Sequence, residues 1–128
     1  MEFQRSFSGA PWESQVGYCR ALRSGDRIFV TGTASVAEDG SVHGMGDGYA
    51  QAVRCLEIIR SALEDLGADL TSVVRTRMFV TDIARWESFG RAHAEFFAEH
   101  PPATSMIEVC RLIHPDMLIE IEADAIVG

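Results

Sequence analysis

Three carboxylates recur at every second position near the end of this chain: Glu120, Glu122 and Asp124, alternating with Ile119, Ile121, Ala123 and Ala125. That period belongs to a half-buried strand, on which alternate side chains share a face about 6.8 Å apart. A row of like charges on one sheet face has two uses. A partly desolvated carboxylate can hold or activate a water as general base, because burial raises its affinity for a proton. Alternatively the acids pair with cations across the sheet, and Arg75 and Arg77 are placed to supply them. Glu122 and Asp124 are expected to pair in this way; for Glu120 both readings stay open.

The other chemistry-bearing residue types form no constellation. His43, His93, His100 and His114 are never three or four residues from one another, and no cysteine stands at a ligand spacing, so no metal is expected. Each histidine reads as a surface or loop residue. His114, in the Arg111-Leu112-Ile113-His114-Pro115-Asp116 loop before the last strand, has the strongest claim to a role. There is no G-x-S-x-G nucleophile turn, and neither Cys19 nor Cys110 has a base beside it in sequence, so both read as structural. Gly44-x-Gly46-x-Gly48 lacks the spacing of a dinucleotide-binding turn and starts no βαβ unit; it reads as a flexible approach to a helix. No cofactor is implied.

These residues must be held by elements that the periodicity outlines. From Asp47 to Leu66, Ala52, Val53, Leu56, Ile59, Ala62, Leu63 and Leu66 make one apolar helical stripe, with Arg54, Glu57, Ser61 and Glu64 falling away from it. Asp47 suits the N-cap and Gly67 the residue past the C-terminus. A second helix is expected from about Asp82 to His100, with Trp86, Phe89, Ala92, Phe96 and Phe97 as its stripe, stopped by Pro101-Pro102. Strands are expected at Val16–Arg23 and Arg27–Thr33, joined as a hairpin through Ser24-Gly25-Asp26. Three more are expected at Val73–Thr81, Thr104–Arg111 and Leu118–Val127. In the first of these three, Val74, Thr76, Met78 and Val80 should share one face and Arg75, Arg77 and Phe79 the other. The order strand, strand, helix, strand, helix, strand, strand gives a two-layer α+β domain with both helices on one face of a mixed sheet. The opposite face mixes charges with Phe79 and Val109, which suggests burial against another subunit.

At 128 residues and 47% hydrophobic, the chain suits a single domain over residues 1–128. Its formal net charge of −8, with no lysine, repels phosphate backbones, so no nucleic-acid partner is expected. No apolar run approaches the roughly 20 residues that span a bilayer, so no membrane partner is expected either. Met1-Glu2-Phe3 lacks the basic start of a secretory signal, and three scattered cysteines suit a reducing compartment, so a cytoplasmic location is expected.

Several segments together resemble the Rid family, also called YjgF-like or L-PSP endoribonuclease-like. They are Gly17-Tyr18-Cys19-Arg20-Ala21, Phe29-Val30-Thr31-Gly32-Thr33 and Val73 through Asp82, and then Pro102-Ala103-Thr104-Ser105-Met106-Ile107-Glu108-Val109 with Ile119-Glu120-Ile121-Glu122-Ala123. The resemblance runs from Val16 to Val127. It implies a chorismate-mutase-like subunit assembled as a homotrimer, with small-molecule pockets between subunits and no metal or organic cofactor. It further implies hydrolysis of reactive imines or enamines to ketoacids and ammonia, with an arginine gripping the substrate carboxylate and a glutamate on the last strand positioning water. Glu120 and Tyr18 match that pattern, and the Gly32 backbone would help shape the ligand site. Thr104 stands where the resemblance places the arginine, Met106 where it places a cysteine, and Gly90 where it places an asparagine. The ligand is therefore expected to lack a free α-carboxylate, or to direct it to another base such as Arg20, Arg77 or His114. Three functions follow in order: a cofactor-independent hydrolase or deaminase, a non-catalytic metabolite-binding protein, and, least expected from the acidic charge, an endoribonuclease.

Overall fold

The computed structural model describes residues 2–128; Met1, on which the reading of the Met1-Glu2-Phe3 segment partly rests, lies outside the described residues. Six strands and two helices follow in the order β1 (Phe3–Ser6), β2 (Ala21–Ser24), β3 (Arg27–Ala34), α1 (Gly48–Asp65), β4 (Val73–Val80), α2 (Trp86–Phe97), β5 (Ala103–Glu108) and β6 (Ile119–Ile126). The strands form one mixed sheet in the order β1-β2-β3-β6-β4-β5. Only β4 and β5 are parallel neighbours; the other pairs are antiparallel. Because β3 and β4 both run antiparallel to β6, they point the same way, so β3-α1-β4 and β4-α2-β5 are successive crossovers in one direction along the sheet. Crossovers of one hand that progress in one direction put their helices on the same face. That is the two-layer α+β arrangement expected.

The core lies between that face and α1. Ala52, Cys55, Leu56, Ile59, Ala62 and Leu63 of the helix are buried, as are Ile119, Ile121, Ala123 and Ala125 of β6. Asp47 caps α1, its carboxylate accepting the Ala50 amide at 3.0 Å. Gly48 explains part of the glycine triplet. A Cβ there would lie 2.9 Å from the Phe89 ring, so its absence lets α1 and α2 approach.

Four expectations change. Val16–Tyr18 is not strand: Glu13–Gly17 form a short π-helical segment, and β2 begins only at Ala21. The edge strand β1, which pairs with β2, was not expected. Val74 does not share the buried face of Thr76, Met78 and Val80, because the β4–β6 register shifts between Val73 and Arg75 and turns Val74 outward. Trp86, assigned to the second helix's buried stripe, is 56% exposed; it is the first residue of α2, where the apolar period continues but the core does not.

On the other sheet face, Arg77 pairs with Glu122 at 3.1 Å and with Asp124 at 3.4 Å. The acids are therefore paired across the sheet as expected, by Arg77 and not by Arg75. Phe29 and Ile107 remain well exposed on their strands. Among the described residues no helix is long and apolar enough to cross a membrane.

Candidate functional site

A β-bulge organises the site. Along β3 the register with β6 passes from Val30↔Ala123 to Thr33↔Ile121, so three steps on β3 match two on β6. The extra residue falls at Thr31-Gly32, and such an insertion bends the strand and re-aims its neighbours. Glu120, near the start of β6, fills the room that Gly32 leaves: a Cβ on Gly32 would lie 2.2 Å from the Glu120 Oε1.

Beneath the bulge sits Arg20, buried and fully engaged. Its Nε donates to Glu13 at 3.2 Å, one terminal nitrogen donates to the Gly32 carbonyl at 2.7 Å and to the Thr33 hydroxyl at 3.2 Å, and the other reaches the Tyr18 hydroxyl at 3.5 Å. The guanidinium also lies over the Tyr18 ring, 5.4 Å from its centroid. Glu13 is equally buried, and it accepts further bonds from the Ser8 amide and hydroxyl. The π-helical segment turns Glu13 inward, which no periodicity in the sequence signalled. Arg20 thus ties three parts of the site together: the Glu13 segment, the Tyr18 ring and the bulge.

Over this support opens a cavity of about 440 Å³, with Tyr18, Gly32, Arg54 and Glu120 on its wall and Trp12 and Ile58 among its apolar lining. This is within the size range of small-molecule sites. Burial raises the proton affinity of Glu120 above its ordinary value, with Arg20 opposing the shift and Glu122 adding to it. No hydrogen bond or ion pair among the described residues engages its carboxylate. Glu120 is therefore a half-desolvated acid at the cavity wall whose carboxylate has no protein partner among the described residues. Of the two readings open for it, pairing across the sheet is not what the structure shows.

Thr104, Met106 and Gly90 lie elsewhere. Thr104 sits on β5, the far edge of the sheet, and none of the three lines the cavity. The Thr104 hydroxyl is 2.6 Å from that of buried Thr76, which is 2.8 Å from His93 Nε2. The Thr104 hydroxyl is thus already engaged within the chain. If His93 accepts, Thr76 donates to it and Thr104 donates inward, offering only lone pairs; if His93 donates, Thr76 has its proton available for Thr104, which can then keep its own to offer. His93 is half-buried in α2, not a surface residue, and burial holds its pKa below the usual range. Gly90, one helical turn before His93, leaves open space where a Cβ would stand.

The remaining candidates are not at the cavity. His114 accepts the Asp116 amide at 3.1 Å and lies outside the cavity wall, although its neighbour Ile113 is part of it. Cys55 is buried and its thiol strongly held in the neutral form by desolvation. Cys110, expected to be a small buried structural residue, is exposed, because β5 ends at Glu108 and leaves it in the following loop. Among the described residues no three metal-ligating side chains cluster.

The family described as Endoribonuclease L-PSP matches residues 9–127. The chain belongs to that family. An uncharacterized protein of Streptomyces coelicolor is 34% identical over 125 residues, covering 98% of this chain and 92% of the relative. Among solved structures, a Mycobacterium tuberculosis member of the YjgF/YER057c/UK114 family superposes with a TM-score of 0.90 at 44% identity, covering 98% of this chain and all of that one. Escherichia coli TdcF, crystallised with bound serine, is 25% identical with a TM-score of 0.82, covering 100% of this chain and 98% of that one. The L-PSP family member thus carries Glu120, Tyr18 and Gly32 at one cavity and keeps Thr104 and Met106 on the edge strand β5 and Gly90 on α2, away from it.

Proposed function

We propose that this protein is a cofactor-independent hydrolase of small imines or enamines, working as a homotrimer, with Glu120 as its acid–base group. The observation that carries this reading is the uncommitted, half-desolvated Glu120 carboxylate facing a ligand-sized cavity. Family membership and the serine held by TdcF support a ligand of amino-acid size.

The chemistry asks for one group that both takes and gives a proton. Ionised Glu120 accepts a proton from water as the oxygen adds to the C=N carbon, forming a carbinolamine. The same proton passes to the nitrogen; Glu120 then takes the proton of the carbinolamine hydroxyl and delivers it to the amine, so that collapse to the carbonyl expels ammonia and R₂C=NH and water become R₂C=O and NH₃. An enamine enters the sequence once protonated Glu120 delivers its proton to the terminal carbon. A raised proton affinity suits such a shuttle, because it brings both forms of the carboxyl closer to balance near neutral pH. The test is hydrolysis of imines generated in situ by the wild type and by Glu120→Gln.

The second cluster motivates the trimer. Thr104 is exposed on an edge strand, and Phe29 and Ile107 leave apolar surface on the open sheet face. A neighbouring copy that covers that face and brings its β5 edge to the cavity would join the two halves of the site and the residues Thr104, Met106 and Gly90 to Glu120. Light scattering at micromolar concentration should give three times the chain mass. A stable monomer would remove this part of the proposal.

A non-catalytic binding protein is the second reading, and one observation favours it: among the described residues no hydrogen bond orients the Glu120 carboxylate. A cavity of this kind can hold a ligand without turning it over. Endoribonuclease activity draws no support from the cavity, which presents Glu120 without a histidine on its wall.

A further inference from the structure

Four charged side chains face the cavity: Arg20, Glu38, Arg54 and Glu120. Arg20 is largely committed: its Nε and one terminal nitrogen hold Glu13 and the bulge at 2.7–3.2 Å, and its other terminal nitrogen reaches the Tyr18 hydroxyl at 3.5 Å. Glu38 is exposed in the turn between β3 and α1, at the rim. Arg54 differs from both. It projects from α1, half-buried, and its Nε donates to the Val36 carbonyl at 2.9 Å. No other hydrogen bond or ion pair engages it among the described residues.

That single bond fixes the side chain and leaves the two terminal nitrogens free. Their parallel N–H groups match the two oxygens of a carboxylate, and a guanidinium tethered through Nε surrenders little further freedom on binding. Arg77 already holds Glu122 and Asp124, and His114 lies outside the wall, so neither can serve the cavity of this chain.

We propose that Arg54 is the anion-binding residue of this cavity, so that the ligand is a small carboxylate, a 2-imino acid or the corresponding ketoacid, held by Arg54 with its reacting carbon toward Glu120. This rests on the reading of the cavity as the ligand site. Apolar wall residues Ile58 and Met117 then receive a short aliphatic side chain, and a second anionic group on the ligand would meet Glu120.

The probe is 2-oxobutanoate, with its neutral carboxamide as control, titrated calorimetrically into the full-length protein. Glutamine is the informative substitution, because its side-chain nitrogen stands the same number of bonds from Cα as the arginine Nε. Arg54→Gln can therefore keep the bond to Val36 while deleting the terminal fork. Wild type should bind the anion more tightly than the amide, and Arg54→Gln should weaken the anion roughly 10- to 100-fold, the worth of a charge-assisted contact, with little effect on the amide. Arg54→Lys, which keeps the charge without the fork, should fall between. Arg60→Gln, the same charge change on the exposed side of α1, should leave both affinities unchanged. Anion affinity within twofold of wild type in a folded Arg54→Gln protein overturns the proposal, and so does a wild type that binds neither probe. If Arg54→Gln binds the anion normally while Glu120→Gln loses turnover, the anchor fails and the hydrolytic reading stands. If Arg54→Gln loses the anion while Glu120→Gln turns over imine normally, the anchor stands and the hydrolytic reading fails.

Discussion

Glu120→Gln should lower imine hydrolysis by about 10²–10⁴-fold, the usual contribution of a positioned acid–base group, while making the folded protein more stable at neutral pH. The two effects have one cause. Burial lifts the carboxyl of Glu120 above its ordinary value of 4.5, so between that value and the raised one the folded protein holds a proton that the unfolded chain has released. Stability then falls as pH rises through this window, because the unfolded state binds fewer protons. Glutamine removes the ionisation and its cost. The gain in Tm should grow as pH rises through the window above the ordinary carboxyl value and vanish below about pH 4, in the ordinary carboxyl range, where Glu120 is protonated in both states. In catalysis the same group places the acid limb of kcat/KM above the ordinary glutamate range. An isosteric variant that loses activity and stability together, at every pH, would assign Glu120 a structural role. His93 has the opposite sign: a histidine held neutral by burial makes the protein less stable as pH falls below the usual imidazole range.

The largest loss of stability should come from Glu13→Ala. Arg20 and Glu13 form a buried pair at 3.2 Å, with side-chain exposures of only 6% and 4%. Removing one partner leaves the other charged, desolvated and unpaired, which costs about 3–5 kcal/mol. For a domain of this size that lowers Tm by on the order of 10 °C or more. The double substitution Glu13→Leu with Arg20→Met removes both charges, and should recover a large part of the loss in stability. It should not recover ligand binding, because Tyr18 and the Gly32 carbonyl lose the guanidinium that ties them together. Chemical denaturation checks both; a Glu13→Ala cost under 1 kcal/mol would mean the pair is not what supports the bulge.

What could be read from the sequence was what depends on near neighbours. The α1 stripe, its Asp47 cap and the alternation of β6 are local patterns, and each is found where its period places it. The bulge at Thr31-Gly32, the shift that exposes Val74 and the inward turn of Glu13 depend on pairing between distant strands, and no local period carries them. Arg54 shows the same limit at the site. It falls off the apolar stripe of α1 and so reads as part of a solvated face, yet the loop after β3 folds back to give it Val36 as a partner. Thr104 was legible as a position where the resemblance implies an arginine, but not as a hydroxyl already engaged by Thr76 and, through it, His93.

The most direct test is a crystal structure of the protein with a short ketoacid, the product of the proposed hydrolysis. The ketoacid should lie in the cavity beside Gly32 and Tyr18, with its carbonyl within about 3 Å of the Glu120 carboxyl, the distance that proton transfer requires. A ketoacid bound at saturating concentration away from Glu120, with the Glu120 carboxylate instead paired to a cation of a neighbouring copy, would contradict the account.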